Sequence, residues 1–356
     1  LSIKERKIDH LTIVSKEKVE AKMQTTWLEY VKLIHQASPE ISFEEVDTSV
    51  TFLGHKFSAP LLIDSMTGGA DQAKEINRRL AESASSLGIG MGVGSQRSAI
   101  VNPELSETFS IVRDTSPDMF VMANIGGAQL AMGMTVDDVK KVIDMVKANA
   151  LAVHLNPLQE LIQPEGDTNF KGVLSKIGEI VKAVQVPVIV KEVGAGISRE
   201  MAIELQMAGV AAINVAGVGG TSWAVVEGIR AKKAGNKDKS DLSETFAEWG
   251  IPTAASVLEV RSVSTIPVIA SGGIRNGLDV ARAISIGADM SAMALPVMKA
   301  VLKGGSEGAK RLLSKTILEY RSALFLTGSR NTNELKKKRK ILLGPLNEWA
   351  RSVGIL

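Results

Sequence analysis

Between residues 61 and 300 of this 356-residue chain, eight short apolar runs recur, each followed by Gly, Ser or Asn and then by a helical pattern. They occupy 61–65, 88–94, 120–125, 151–156, 186–190, 211–216, 266–271 and 290–295. Apolar runs of this length without alternation suit parallel strands buried on both faces, with the helices between them as crossovers. Eight such units predict an α/β fold, a single (β/α)8 barrel. An internal echo agrees: Val186-Pro-Val-Ile-Val190 matches Ile266-Pro-Val-Ile-Ala270 at an offset of two βα units. A doubly wound sheet is the alternative, but its dinucleotide fingerprint is lacking, because the alternating glycines of 88–94 lead into no helical pattern.

The rest of the chain is read around that barrel, over residues 61–300. Residues 1–60 form an N-terminal arm and hairpin. In the arm, Val19, Met23, Trp27, Tyr30, Val31 and Ile34 fall mostly at helical spacing, which predicts an amphipathic segment over 15–35. Residues 50–57 read as a hairpin around Gly54 that plugs one end of the barrel. The connection at 218–265 is too long for an ordinary turn and reads as a lid loop with a polar, disorder-prone middle at 231–241. Residues 301–356 read as C-terminal helices, the first over 310–326 and ended by Gly328.

Composition narrows the function classes. Lys and Arg exceed Asp and Glu by three, too few for nucleic-acid or membrane binding by bulk charge, so any anion site is local. With no cysteine, disulfides, thiolate zinc sites and thiol nucleophiles are excluded. No window reaches the roughly 18 apolar residues a membrane span needs, and the cytoplasm is the expected location.

Barrel chemistry collects at the C-terminal ends of the strands. Those ends read Ser65-Met-Thr-Gly-Gly69, Ser95-Gln-Arg97, Asn124, His154-Leu-Asn156 with Gln159-Glu160, Lys191-Glu192, Gly219-Gly-Thr-Ser-Trp223, Gly272-Gly-Ile-Arg275 and Ala294-Leu-Pro296. Three features point to a flavin. Backbone amides at Gly272 and Gly273, with Ala294 and Leu295, lie after strands seven and eight, where barrels commonly hold a phosphate; a plain tight turn is the alternative. The Lys191 ammonium at a strand end suits a flavin's N1 and O2, or else a structural ion pair with a carboxylate. The small residues of Ser65-Met-Thr-Gly-Gly69 let a flat ring lie against backbone, or simply make a turn.

The combination of Arg6-Lys7 and His10 at the start with His154-Leu-Asn156 and Gln159-Glu160 after strand four resembles the FMN-dependent type 2 isopentenyl diphosphate isomerases. Ser65-Met-Thr-Gly-Gly69, Gly94-Ser-Gln-Arg97, Gly219-Gly-Thr221, Ser271-Gly-Gly-Ile-Arg275 and Ala294 extend the match nearly end to end. The resemblance implies that Ser65, Met66, Thr67, Ser95, Asn124, Lys191, Thr221, Gly272, Gly273, Arg275, Ala294 and Leu295 contact FMN. Arg6, Lys7, Ser95, Arg97, His154, Asn156 and Gln159 would hold a diphosphate substrate, with the arm folded over the mouth from the same or a neighbouring subunit. Glu160 would bind Mg²⁺. The reaction implied is isopentenyl to dimethylallyl diphosphate in isoprenoid biosynthesis. Reduced FMN is the acid/base, NADPH or NADH the reductant, and a tetramer or octamer the homo-oligomer. Among residues placed in catalysis, Lys191 and His154 join Gln159 and Glu227, the candidates for the second proton, with a surface position the alternative for Glu227. Trp223 walls the prenyl group or merely packs. The competing reading is an FMN-dependent oxidoreductase of a phosphorylated or 2-hydroxy-acid substrate. The 2-hydroxy-acid oxidases want a late catalytic His, yet no His follows His154, and a thiol-dependent dehydrogenase barrel wants a Cys.

Overall fold

The computed structural model describes residues 3–356. Its centre is a closed barrel of eight parallel strands: β1 Leu61–Ile63, β2 Gly90–Gly92, β3 Val121–Gly126, β4 Ala150–His154, β5 Val188–Lys191, β6 Ala212–Asn214, β7 Val268–Ala270 and β8 Met290–Met293. Strands neighbour one another in chain order, and β8 closes on β1 with Ser291 opposite Leu61 and Met293 opposite Ile63. All eight expected strands are present, in the expected barrel.

Side-chain parity explains why the runs carry no alternation. Leu62, Met122, Ala150, Ile189, Ala212, Ile269, Met290 and Ala292 form one apolar cluster inside the barrel. Their chain neighbours, among them Leu61, Ile63, Val188, Val190, Val268 and Ala270, pack outward into the larger core under the helices. Both parities are buried, so both are apolar. Two residues beyond the inner layer, or four in β4, and on the same inward parity, the chain turns polar: Asp64, Asn124, His154, Lys191, Asn214 and Ser271. That change marks the boundary between core and site.

The hairpin of Val50–Phe52 and His55–Phe57 closes the opposite end, as expected. Phe52 and Phe57 join the inner cluster, and Phe57 meets Phe120 edge-on at 5.2 Å. Between residues 15 and 35 the structure departs from expectation. The arm helix is α1, Ile3–Lys16, and the chain beyond it is irregular apart from a short 3-10 turn at Leu28–Tyr30 and a strand, Val31–Leu33, paired with Lys340–Leu342. The apolar spacing there reflects separate contacts: Val19 is buried against the site helix, Val31 in the main core, and Met23 is 88% exposed.

The 218–265 connection, expected as a lid loop, instead carries three helices: α2 Trp223–Lys233, α3 Lys237–Thr245 and α4 Thr253–Val263. The polar 231–241 stretch is the α2–α3 junction, capped by Asn236. A final long helix, α5 Leu295–Leu326, begins earlier than expected, is broken at Gly304–Gly305, and is followed by Gly328 at φ +61°. Helices Thr332–Lys337 and Gly344–Ser352 complete the chain. Among the described residues, no helix is long and apolar enough to cross a membrane.

Candidate active site

The polar layer, with Asn214 beneath it, forms the floor of a cavity of about 210 Å³ at the C-terminal face. Of the site residues expected from sequence, all but Glu227 line it. Five cations, Arg6, Lys7, Arg97, Lys191 and Arg275, face two carboxylates, Asp64 and Glu160. Such an excess in a partly closed space calls for anionic ligands.

The phosphate-loop candidate is built as its glycines require. Gly272 and Gly273 have φ of +86° and +76°, and a Cβ on either would lie 2.1 Å from Gly217 O or 2.2 Å from the Thr26 side chain. Only glycine lets this loop pass so close to its neighbours. At its end, Arg275 pairs with Glu20 of the arm. Two strands along, after β1, the Ser65 hydroxyl is buried without a partner. A glycine cradle, an orphaned hydroxyl and the buried Lys191 ammonium fit the phosphate and ring edge of FMN.

His154, at the end of β4, has its Nδ1 2.7 Å from Asn124 Oδ1. Burial, reinforced by the charges of Lys191 and Lys7, lowers its pKa to about 3. A neutral ring donates Nδ1–H to Asn124 and leaves Nε2 as an acceptor. One turn on, Asn156 Nδ2 donates to Gln159 Oε1 at 3.1 Å and to Glu160 Oε1 at 3.0 Å, while Asn156 Oδ1 is buried and unpartnered. Glu160 Oε2 accepts Asp167 N at 2.8 Å. No group of three or more His, Cys, Asp or Glu forms a metal cage among the described residues. A lone carboxylate beside an orphaned amide oxygen fits a Mg²⁺ ion that takes its other ligands from water and substrate phosphate.

Glu227 lies just behind this wall, on α2. It is fully buried, which removes the surface reading. Its Oε1 accepts His10 Nε2 at 2.7 Å and Gln159 Nε2 at 3.1 Å; its Oε2 accepts Arg230 Nη1 at 2.6 Å. Burial alone raises its pKa, but the His10 hydrogen bond and the charges around it outweigh that and hold the carboxyl at about 2. Burial lowers the pKa of His10, against the opposing pull of its hydrogen bond to Glu227 and that group's charge. Trp223 meets the His10 ring edge-on at 5.1 Å.

The arm forms the roof, and in this structure it covers the mouth of its own chain. Ile13 and Val19 pack on Val226 and Leu295. Val19 O and Gly220 O accept Ser222 N and Ala21 N, and Glu248 accepts the backbone N–H groups of Lys22, Met23 and Gln24 at 2.6–2.7 Å. Sequence reading missed four groups: Asp64, Asn214, Gln163 and the partnership of His10 with Glu227. Gln163, turned to suit its neighbours, accepts Arg6 Nη1 at 2.9 Å and donates to Glu227 Oε1 at 3.3 Å. Parity along β1 and β6 exposes the first two; nothing in sequence spacing exposes the others.

Comparison with known proteins agrees with this geometry. The profile of the FMN-dependent dehydrogenase family matches residues 122–341. An isopentenyl-diphosphate delta-isomerase of Ignicoccus hospitalis is 46% identical over 98% of this chain and 96% of its own length. Those of Methanosarcina mazei and Methanocaldococcus jannaschii are each 47% identical over 98% of this chain, covering 94% and 96% of their own lengths. In fold, the chain matches mandelate oxidase bound to benzoyl-formic acid (TM-score 0.64, 15% identity, 94% of each chain) and a putative lactate oxidase of Pediococcus acidilactici (TM-score 0.65, 16% identity, 91% and 88% covered). The chain belongs to the FMN-dependent dehydrogenase family and, among its members, to the isopentenyl-diphosphate delta-isomerases.

Proposed function

We propose that this cavity converts isopentenyl diphosphate to dimethylallyl diphosphate with FMN as cofactor, as a cytoplasmic homo-oligomer, tetrameric or octameric. The observation that carries the reading is the meeting of Arg6 and Lys7 from the arm with Arg97 and His154 from the barrel, above a glycine cradle and Lys191. One anion site on the floor and another under the roof match a flavin phosphate and a substrate diphosphate.

Gly272, Gly273, Ala294, Leu295 and Arg275 hold the FMN phosphate end, while Ser65, Met66, Thr67, Ser95, Asn124, Lys191 and Thr221 hold the ring. FMN, reduced beforehand by NADPH or NADH, supplies an acid/base centre beside an electron-rich ring. The chain positions the alkene and excludes water. Arg6, Lys7, Ser95, Arg97, Asn156 and Gln159 grip the diphosphate, Arg by forked contacts and Lys as a point charge. His154 becomes a second donor there once the anion's charge restores its Nε2 proton. Glu160 would hold Mg²⁺, which would supply positive charge against the diphosphate. Trp223 walls the prenyl group. Gln159, backed by Glu227, handles the second proton, since its amide lies between the ionised carboxylate and the cavity.

The test is turnover of isopentenyl diphosphate by FMN-loaded protein after one reduction. Isomer accumulating far beyond the NADPH consumed is expected; product formed one-for-one with oxidised nicotinamide would replace isomerase by oxidoreductase.

A further inference from the structure

A buried carboxylate lies in the cavity floor, apart from the residues that grip cofactor or substrate. Asp64, at the end of β1, is 5% exposed, and its Oδ1 stands 3.7 Å from Lys191 Nζ. It is tightly held. Oδ1 accepts Ser65 N at 2.8 Å, and Oδ2 accepts Asn214 Nδ2 at 3.2 Å. Asn214 Oδ1 in turn accepts Ser271 Oγ at 2.6 Å, so the chain of bonds ends one residue before Gly272. Lys191 donates one hydrogen bond, to Glu192 O at 2.8 Å, and Asp64 is its ion-pair partner among the described residues.

The pairing governs what the lysine can offer a ligand. An ammonium has three N–H donors. One is taken by Glu192 O, and the carboxylate at 3.7 Å is near enough to attract the charge but beyond hydrogen-bond distance. The remaining donors are free for a ligand, while a fixed negative charge stands behind them. A buried carboxylate bound on three sides costs desolvation, and a core that carries it only for packing would do as well with an apolar residue.

We propose that Asp64 is a positioning residue for Lys191, anchoring the ammonium and offsetting part of the positive charge that bound flavin feels. The proposal rests on the reading that FMN lies against Lys191. Without the carboxylate, the unopposed ammonium favours the reduced, anionic flavin over the oxidised one more strongly. Asp64 therefore sets how readily the cofactor gives its reduced state back.

The test measures the FMN midpoint potential, or equivalently the ratio of oxidised to reduced FMN dissociation constants, at one pH. It compares holoenzyme, Asp64→Asn, Lys191→Met and the double variant. Asp64→Asn is expected to favour reduced FMN about tenfold, a positive shift of about 30 mV for a two-electron couple. Lys191→Met shifts the potential negative. In the Lys191→Met background Asp64 has no ammonium left to position, so adding Asp64→Asn changes the ratio less than about threefold. An unchanged or negative potential in Asp64→Asn, with Lys191→Met shifted negative, overturns the role of Asp64 and leaves the flavin reading standing. Lys191→Met without effect overturns that reading and the proposal with it. A full tenfold effect of Asp64→Asn in the double variant means direct action on the flavin and overturns the positioning role. Should Asp64→Asn fail to fold, Asp64→Ser removes the same charge from a smaller side chain and must move the potential in the same direction.

Discussion

Lys7 offers the sharpest solution test, because its environment lacks what its charge needs. It lies half-buried in the cavity roof beside Arg6, without a carboxylate partner among the described residues. Burial first, and the neighbouring Arg6 second, lower its pKa from 10.5 to about 8. At 1.36 kcal/mol for each unit between those values, keeping the ammonium charged there costs about 3 kcal/mol, which a bound diphosphate offsets. The sign comes from linkage. Below pH 8 folded and unfolded chains both carry the proton and the penalty is complete; between 8 and 10.5 only the unfolded chain keeps it, so the penalty fades as pH rises. Substrate binding runs the other way, since the free enzyme loses a phosphate contact above pH 8. Steady-state kinetics from pH 6.5 to 10 should show kcat/KM falling about tenfold per pH unit above 8, while kcat stays level because the bound anion lifts the lysine's pKa. Lys7→Met should lower kcat/KM at pH 7 by about 10- to 100-fold, the value of a hydrogen bond to a charged group, and lose the limb. Lys7→Arg keeps its charge across the range and should abolish the limb while retaining most activity. A limb that survives in Lys7→Arg refutes the assignment.

Other perturbations separate the remaining parts. Glu227→Gln removes one of the two carboxylates that stand 2.6 Å from buried Arg230, Glu165 being the other, and should cost about 1–3 kcal/mol in urea unfolding; unchanged stability would contradict the pairing. Glu160→Gln should raise the Mg²⁺ concentration for half-maximal activity at least about tenfold, and an unaltered metal titration would remove the ion from this carboxylate. Gly272→Ala places a Cβ 2.1 Å from Gly217 O at φ +86°, so purified protein should carry little FMN by its visible absorbance; full occupancy would show that the loop is not the phosphate cradle. Glu248→Ala removes the acceptor of three arm N–H groups and should speed proteolysis within residues 17–26 while raising KM more than it lowers kcat.

How far the sequence could be read depends on which physical signal each residue obeys. The barrel was legible because strands buried on both faces have no alternative to continuous apolar runs. Site residues at strand ends were legible because polarity breaks those runs abruptly. Asp64 and Asn214 obey the same signal. They escaped because they look like the last residue of an apolar strand, and only the parity of Leu62 and Ala212 turns them inward. The arm was legible only in part. Val19, Met23 and Trp27 keep helical spacing but answer to three different surroundings, which a periodicity cannot distinguish from one. Helices α2 and α3 hide for a related reason: a polar surface helix such as Lys237–Thr245 has the composition of a loop. Glu227 shows the limit most clearly, since three of its four partners come from positions 10, 159 and 163 and only the closed fold brings them to it.

The floor and roof of the cavity carry different kinds of information. The floor is built from strand ends that any closed parallel barrel offers, and oxidase structures share that fold at 15–16% identity. A glycine cradle and a buried lysine there specify a flavin and little about what it meets. The roof comes from a segment outside the barrel, and the dehydrogenase-family match begins only at residue 122. Arg6, Lys7 and His10 lie in that outer segment, yet His10 bonds the carboxylate that backs Gln159, and Arg6 bonds the amide that touches it too. The arm thus adds charge above the cavity and completes the polar network at its wall in one docking event. A chain without the arm would lose two of the cations proposed to bind phosphate, the His10 partner of Glu227 and the Glu20 partner of Arg275.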